Sequence, residues 1–205
     1  MQPPMTTARN LLVITLDSAG DPPVRAGDLS LALAGAELID LCAARVVELR
    51  EDRIVPGRLP APADVLLEQA FASFIREEPY ETISDWLWRR GKALDVAYVA
   101  AFETEGLLTR QRRRARLFPT GEPVLVDSPA RRQATERWSS AEPVLVTLAE
   151  AVGVRGPQAR DLPPETDGAV ELILAAVGDA LQELDSERQR RSIEQEAFNN
   201  IWRAP

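Results

Sequence analysis

The chain has 205 residues with no histidine, one cysteine, one lysine and a formal net charge of −8. That length suits a single domain with a real core, and the missing histidines remove Ser-His and Cys-His triads and most transition-metal sites. With no glycine-rich phosphate loop and only Lys92 as a lysine nucleophile, an enzyme ranks last among the possible functions, and no cofactor or metal is expected.

Met1 to Asn10 lacks the apolar stretch of a secretory signal and is expected to be flexible. No run of eighteen apolar residues is present, so no spanning helix is predicted and the expected location is the cytoplasm. Leu11 to Leu16 is a short apolar run whose periodicity fits a strand or a first helical turn equally. From Asp28, residues Leu29, Leu31, Leu33, Ala36, Leu38, Ile39 and Leu41 make a segment apolar on nearly every side, which predicts a central helix covered by others. The lone Cys42 lies on that helix and is expected to pack in the core rather than react. Val46–Leu49 and Arg53–Val55 flank a charged turn and predict a small hairpin.

Asp64 is a predicted N-cap, with Val65, Leu66, Ala70, Phe71, Phe74 and Ile75 at helical spacing behind it and Pro79 as the stop. Thr82 or Ser84 caps the next helix, which carries Ile83, Trp86 and Leu87. Trp86 and Trp88 are two residues apart and cannot share a helix face, so one is expected inside and the other partly exposed. Leu94, Val96, Ala97, Val99, Ala100 and Phe102 supply the bulk of a further helix that ends near Gly106. RQRRRARLFPTGEPVLV then predicts a β-hairpin over residues 110–127 with an arginine-rich first arm. A helix with Arg131, Arg132, Arg137 and Trp138, another over Pro143–Val152, and a long acidic helix from Ala169 to about Asn200, interrupted near Asp185 or Ser186, complete the chain. Trp202 is expected to fasten the last helix down.

The stretch from Asp64 to Trp86, DVLLEQAFASFIREEPYETISDW, resembles the Golgi phosphoprotein 3 family, in which a DVLLDEAL-like helix start precedes a PPET-like turn and an NW or DW pair. LLVITLDSAG followed by DLSLALAGAELIDLCAARVVEL is similar to the family's opening segment and long buried helix, and FETEGLLT resembles its entry to a β-hairpin. The alanine, arginine and proline bias with almost no lysine points to a bacterial relative. The resemblance implies a mainly α fold: one globular helical domain over residues 1–205, built around a buried core helix, with a projecting β-hairpin. It also implies a peripheral adaptor at the membrane, because family members bind phosphatidylinositol 4-phosphate and carry a projecting hydrophobic hairpin. The family's headgroup pocket uses a tryptophan and three arginines, which align with Arg25, Ala34, Lys92 and Asp95.

Charge is distributed unevenly. Residues 89–140 carry 11 basic and 6 acidic groups, against 7 and 14 in residues 1–88 and 6 and 12 in residues 141–205. Only the middle segment attracts an anionic surface. Candidate headgroup or anion ligands are therefore Arg89, Arg90, Lys92, Arg112, Arg113, Arg114 and Arg116, joined by Arg25, which the resemblance aligns with the pocket's tryptophan. Leu117, Phe118, Val124 and Leu125 are the candidate membrane tip or oligomer contact. The expected partners are acidic lipids on the inner face of the membrane, phosphatidylinositol 4-phosphate among them, a further copy of the chain through the hairpin, and an unnamed protein cargo. A solvated arm paired with the acidic C-terminal helix, a protein-interaction module without lipid binding, and a nucleic-acid binder using the arginine-rich hairpin stand as alternatives. The overall acidity makes nucleic acid the weakest partner of these.

Overall fold

The computed structural model describes residues 5–18, 23–59, 63–110, 123–157 and 168–201, with side chains as far as Glu196. Among these residues the chain forms α1 (Thr7–Asp17), α2 (Ala26–Ala43), strands β1 (Val47–Arg50) and β2 (Arg53–Pro56), α3 (Val65–Ala72), α4 (Ile83–Arg90) and α5 (Leu94–Thr104). Strands β3 (Leu108–Arg110) and β4 (Pro123–Leu125) follow, then α6 (Pro129–Ser139), α7 (Pro143–Ala151) and α8 (Gly168–Ile201). The fold is mainly α, with two antiparallel hairpins, β1–β2 and β3–β4.

The core is organised on α2, which packs against α1, α4, α5 and α8. Ala32, Leu33, Ala34, Ala36, Leu38 and Leu41 of this helix are all fully enclosed, as expected of a segment apolar on every side. Gly35 lets α8 approach, since a Cβ there would lie 2.3 Å from the Val177 side chain. From α8, Ile173, Val177 and Ala180 fill that contact. Trp86 is fully buried, donates its indole N–H to the Ala34 carbonyl at 3.2 Å and stacks on Phe74 at 4.3 Å, while Trp88 is half-buried.

Several boundaries differ from the sequence expectation for identifiable reasons. The ambiguous run at Leu11 is helical, and Thr7–Asn10 belong to the same buried helix rather than to a flexible arm, because Thr6 caps it by accepting the Arg9 N–H. Asp64 caps α3 as expected, but the helix stops at Ala72, where Ser73 turns its N–H and hydroxyl back onto the Ala70 carbonyl. Phe74 is buried beyond the helix end, and Val65 and Ile75 face solvent. Thr82 caps α4 by accepting from the Asp85 N–H. In α5 the buried side is Leu94, Tyr98 and Phe102, while Val96 and Ala100 point outward. Gly106 follows the α5 cap with φ 72°, the left-handed backbone that glycine adopts freely. Cys42 is half-buried. α8 runs through Asp185 and Ser186 without interruption. Trp202 lies outside the described residues.

Candidate anion-binding face

Two arginines of the folded body, Arg9 and Arg90, each belong to a buried network. Arg9, on α1 and 1% exposed, donates Nε to Asp64 at 2.6 Å and both terminal nitrogens to Glu105 at 2.7 Å, and lies 5.4 Å from the centre of the Phe102 ring. Asp64 also caps α3 through the N–H groups of Leu66 and Leu67 at 3.0 Å. One guanidinium therefore ties α1 to the start of α3 and the end of α5. Burial disfavours its charge, yet the two carboxylates outweigh that and hold the Arg9 pKa above its ordinary value.

The second network is built on Glu37, which sits fully enclosed in the middle of α2. Arg90 grips it with Nε at 2.7 Å and Nη2 at 2.8 Å, and Nη2 also donates to the Leu66 carbonyl at 3.1 Å. The Tyr98 hydroxyl donates to the same carboxylate at 3.1 Å. Burial pushes Glu37 above the usual carboxylate range, opposed by Arg90 and Tyr98; Tyr98 rises well above its ordinary value through burial and the nearby carboxylates. The sequence reading missed both networks. Its available signal was Glu37 itself, a carboxylate inside an otherwise apolar helix, which requires a buried cation.

Of the eight candidate anion ligands, Arg90 is committed to Glu37 and is not available to a headgroup. Arg89 is likewise engaged: Nε and Nη2 grip Glu81 at 2.6 and 2.7 Å, Nη2 reaches the Ser73 carbonyl at 3.2 Å, and the guanidinium lies 5.2 Å from the Trp86 ring centre. Arg25 precedes α2 and donates to Asp28 at 2.7 Å and to Asp185 of α8 at 3.1 Å, and Arg188 takes the other oxygen of Asp28. The cleft around it, about 430 Å³, is lined by Asp28 and Asp185 as well as Arg25. Lys92 is exposed and makes no ion pair among the described residues.

The remaining positions aligned with a headgroup pocket are unsuited to an anion. Ala34 is fully buried in α2, and Asp95 exchanges hydrogen bonds with Ser30, accepting from its hydroxyl at 2.7 Å and donating its N–H at 3.1 Å. Arg25, Ala34, Lys92 and Asp95 thus do not make a basic pocket. Among the tip candidates, Leu125 is not a tip residue: it pairs with Leu108 across the ladder and both pack into the core. Val124, on the opposite face, is 38% exposed. Arg112, Arg113, Arg114, Arg116, Leu117 and Phe118 lie outside the described residues.

What the fold does fix is where that arginine-rich sequence is anchored. Arg110 faces Pro123 at the end of the β3–β4 ladder and pairs with Glu103 of α5 at 2.5 Å, so the twelve residues between the strands leave and return at one place beside the end of α5. That connection carries four arginines and one carboxylate, together with Leu117 and Phe118. No helix among the described residues is long and apolar enough to cross a membrane. No curated protein matches the chain. The model of one protein family, Golgi phosphoprotein 3 (GPP34), matches residues 8–198, from the first turn of α1 to near the end of α8 and across both hairpins described above. The buried α2, the capped Asp64–Trp86 unit and the hairpin behind Gly106 all fall inside that match, and the chain belongs to the Golgi phosphoprotein 3 family.

Proposed function

We propose that this chain is a non-enzymatic, adaptor-like protein that attaches peripherally to anionic lipid through the connection between β3 and β4. The observation that carries the reading is the excess of arginine over carboxylate in that connection, set against the paired arginines of the folded body. Arg9, Arg25, Arg89, Arg90 and Arg131 each meet a carboxylate of the folded body. Arg112, Arg113, Arg114 and Arg116 share their twelve-residue connection with Glu122 alone. Clustered guanidinium groups beside Leu117 and Phe118 have the composition of a segment that meets phosphate headgroups and enters the interface shallowly. Attachment to the inner face of a membrane from the cytoplasm follows from that reading. So does general acidic-lipid affinity in preference to tight recognition of phosphatidylinositol 4-phosphate, since Ala34 is buried and Asp95 is acidic.

The test is co-sedimentation with vesicles that are neutral, acidic, or acidic with phosphatidylinositol 4-phosphate, at low and physiological salt. Binding to all acidic vesicles is expected, weakening with salt and lost when Arg112, Arg113, Arg114 and Arg116 are replaced by serine. Selective binding to the phosphoinositide at physiological salt, retained in the serine variant, would transfer the site to Lys92 and Arg25. Absence of binding to any vesicle overturns the lipid reading in favour of a protein-interaction module.

A further inference from the structure

α5 carries little charge for an eleven-residue helix at the surface. Between Leu94 and Thr104 its only charged residues are Asp95 and Glu103. Leu94, Tyr98 and Phe102 fill the core on one side. A helix that covers a core on one side ordinarily shows charged residues on the other. Here the other side is Val96, 61% exposed, exposed Ala100 and half-buried Ala97. The one acidic group near its start, Asp95, is turned inward onto Ser30. Three turns of helix therefore present an apolar face to solvent with no element of the described chain covering it.

The charges at the two ends of this face are opposite in sign and each has spare capacity. Lys92, just before the helix, is exposed and makes no ion pair among the described residues. Glu103, near its end, uses Oε1 for Arg110 and leaves Oε2 without a partner among the described residues. An antiparallel arrangement of two α5 helices about a two-fold axis opposite the middle of the helix sets Lys92 of each copy against Glu103 of the other. The same operation brings Val96 over Ala100, and the small alanine side chains allow the helix axes to approach closely. A parallel arrangement would set Lys92 against Lys92 and Glu103 against Glu103.

We infer that the outer face of α5 is a self-association surface, occupied by α5 of a second copy in antiparallel orientation with reciprocal Lys92–Glu103 pairs. The inference is independent of lipid binding and of the β3–β4 connection. Three helical turns present a face roughly 16 Å long and about 10 Å wide, well below the about 800 Å² a side typical of stable interfaces. The dimer is therefore reversible and concentration-dependent.

Sedimentation equilibrium of the full chain over a range of concentrations reads this directly. The wild-type chain is expected to shift from monomer to dimer as concentration rises. Ala100→Arg, at an exposed position that leaves the core untouched, is expected to remain monomeric with an unchanged circular dichroism melt. Lys92→Glu alone is expected to weaken the dimer, and the charge-swapped pair Lys92→Glu with Glu103→Lys to regain it, an outcome that general misfolding does not produce. Replacing residues 111–122 by Asn-Gly, a two-residue turn that suits a hairpin, is expected to leave the dimer intact. A wild-type chain that stays monomeric at every concentration overturns the inference. So does a dimer that survives Ala100→Arg, or one that disappears with the shortened hairpin and ignores both α5 variants.

Discussion

Arg90 and the arginines at 112–116 belong to the same stretch of positive sequence, yet they differ in the carboxylates that accompany them. Arg90 is drawn inward by Glu37, a carboxylate 53 residues earlier in the chain, and its side chain is 15% exposed. The arginines of the β3–β4 connection have one carboxylate among their twelve residues. A dense basic run signals only that charge must be compensated. Whether the partner is an internal carboxylate or an external phosphate depends on what the fold brings within reach. The buried site is a structural cross-link among α2, α3, α4 and α5.

The sharpest way to break that contrast is to delete one member of each group. Arg9→Ala strands Asp64, 1% exposed, beside the freed ends of Glu105, and Arg90→Ala strands Glu37 in the middle of the core helix. Each is expected to cost about 3–5 kcal/mol, the penalty of leaving a buried charge unpaired, read as a drop in the denaturant midpoint with unchanged slope. The four arginine-to-serine changes in the connection are expected to move the same midpoint by no more than about 0.5 kcal/mol. Equal losses in the two groups would mean that the connection is bound into the body by pairs of its own and would erase the distinction.

Much of the scaffold was legible in the sequence and much of the site was not, for a common reason. The all-round apolar run from Leu29 to Leu41, the Asp64 and Thr82 caps and the glycine at 106 are local signals, and the fold honours each of them. The extent of α3 was over-read because periodicity continues through Phe74, whereas Ser73 closes the helix by satisfying its last carbonyls. Residues 7–10 look unstructured by composition because Arg9 and Asn10 are polar. Their burial depends on Asp64, Glu105 and Asp40, which are remote in sequence. Arg89 and Arg90 read as free ligands in the sequence because their partners Glu81 and Glu37 lie 8 and 53 residues away. The inward and outward halves of α5 cannot be separated in a helix that is apolar on both sides: Val96, counted in the bulk of that helix, faces solvent, while Tyr98, not counted there, is buried.

Asp40 sharpens the comparison from the carboxylate side. It accepts the N–H groups of Thr7 and Ala8 at 3.0 and 3.2 Å, closing the start of α1. Burial nevertheless raises its pKa above the usual aspartate value, those N–H groups opposing the shift. A carboxyl with a raised native pKa binds its proton more readily folded than unfolded, so its contribution to stability grows as pH falls through the native titration and is lost as pH rises through it. Melting temperatures measured from neutral pH down into the ordinary carboxylate range should therefore show the advantage of the wild type over Asp40→Asn widening as pH falls. A constant difference would mean that Asp40 acts only as a helix cap, worth about 1 kcal/mol at every pH.

The smallest expected effect lies at the fully solvated end of the series. Arg132 and Asp127 are 2.9 Å apart at the start of α6, with side chains 64% and 79% exposed. That contact is only slightly longer than the 2.7 Å of Arg90 with Glu37, so a reading based on distance alone would rank the two pairs together. Water screens the outer pair in both the folded and the unfolded chain, and holding two long side chains in register costs rotamer entropy, so Arg132→Ala is expected to change stability by less than about 0.5 kcal/mol. Because Arg132→Ala and Arg90→Ala remove the same charge, the difference between their denaturant midpoints measures what burial contributes. If the two variants lose equal stability, the buried network is no more than a surface pair that happens to be covered, and the claim that Glu37 holds Arg90 as a structural cross-link falls with it.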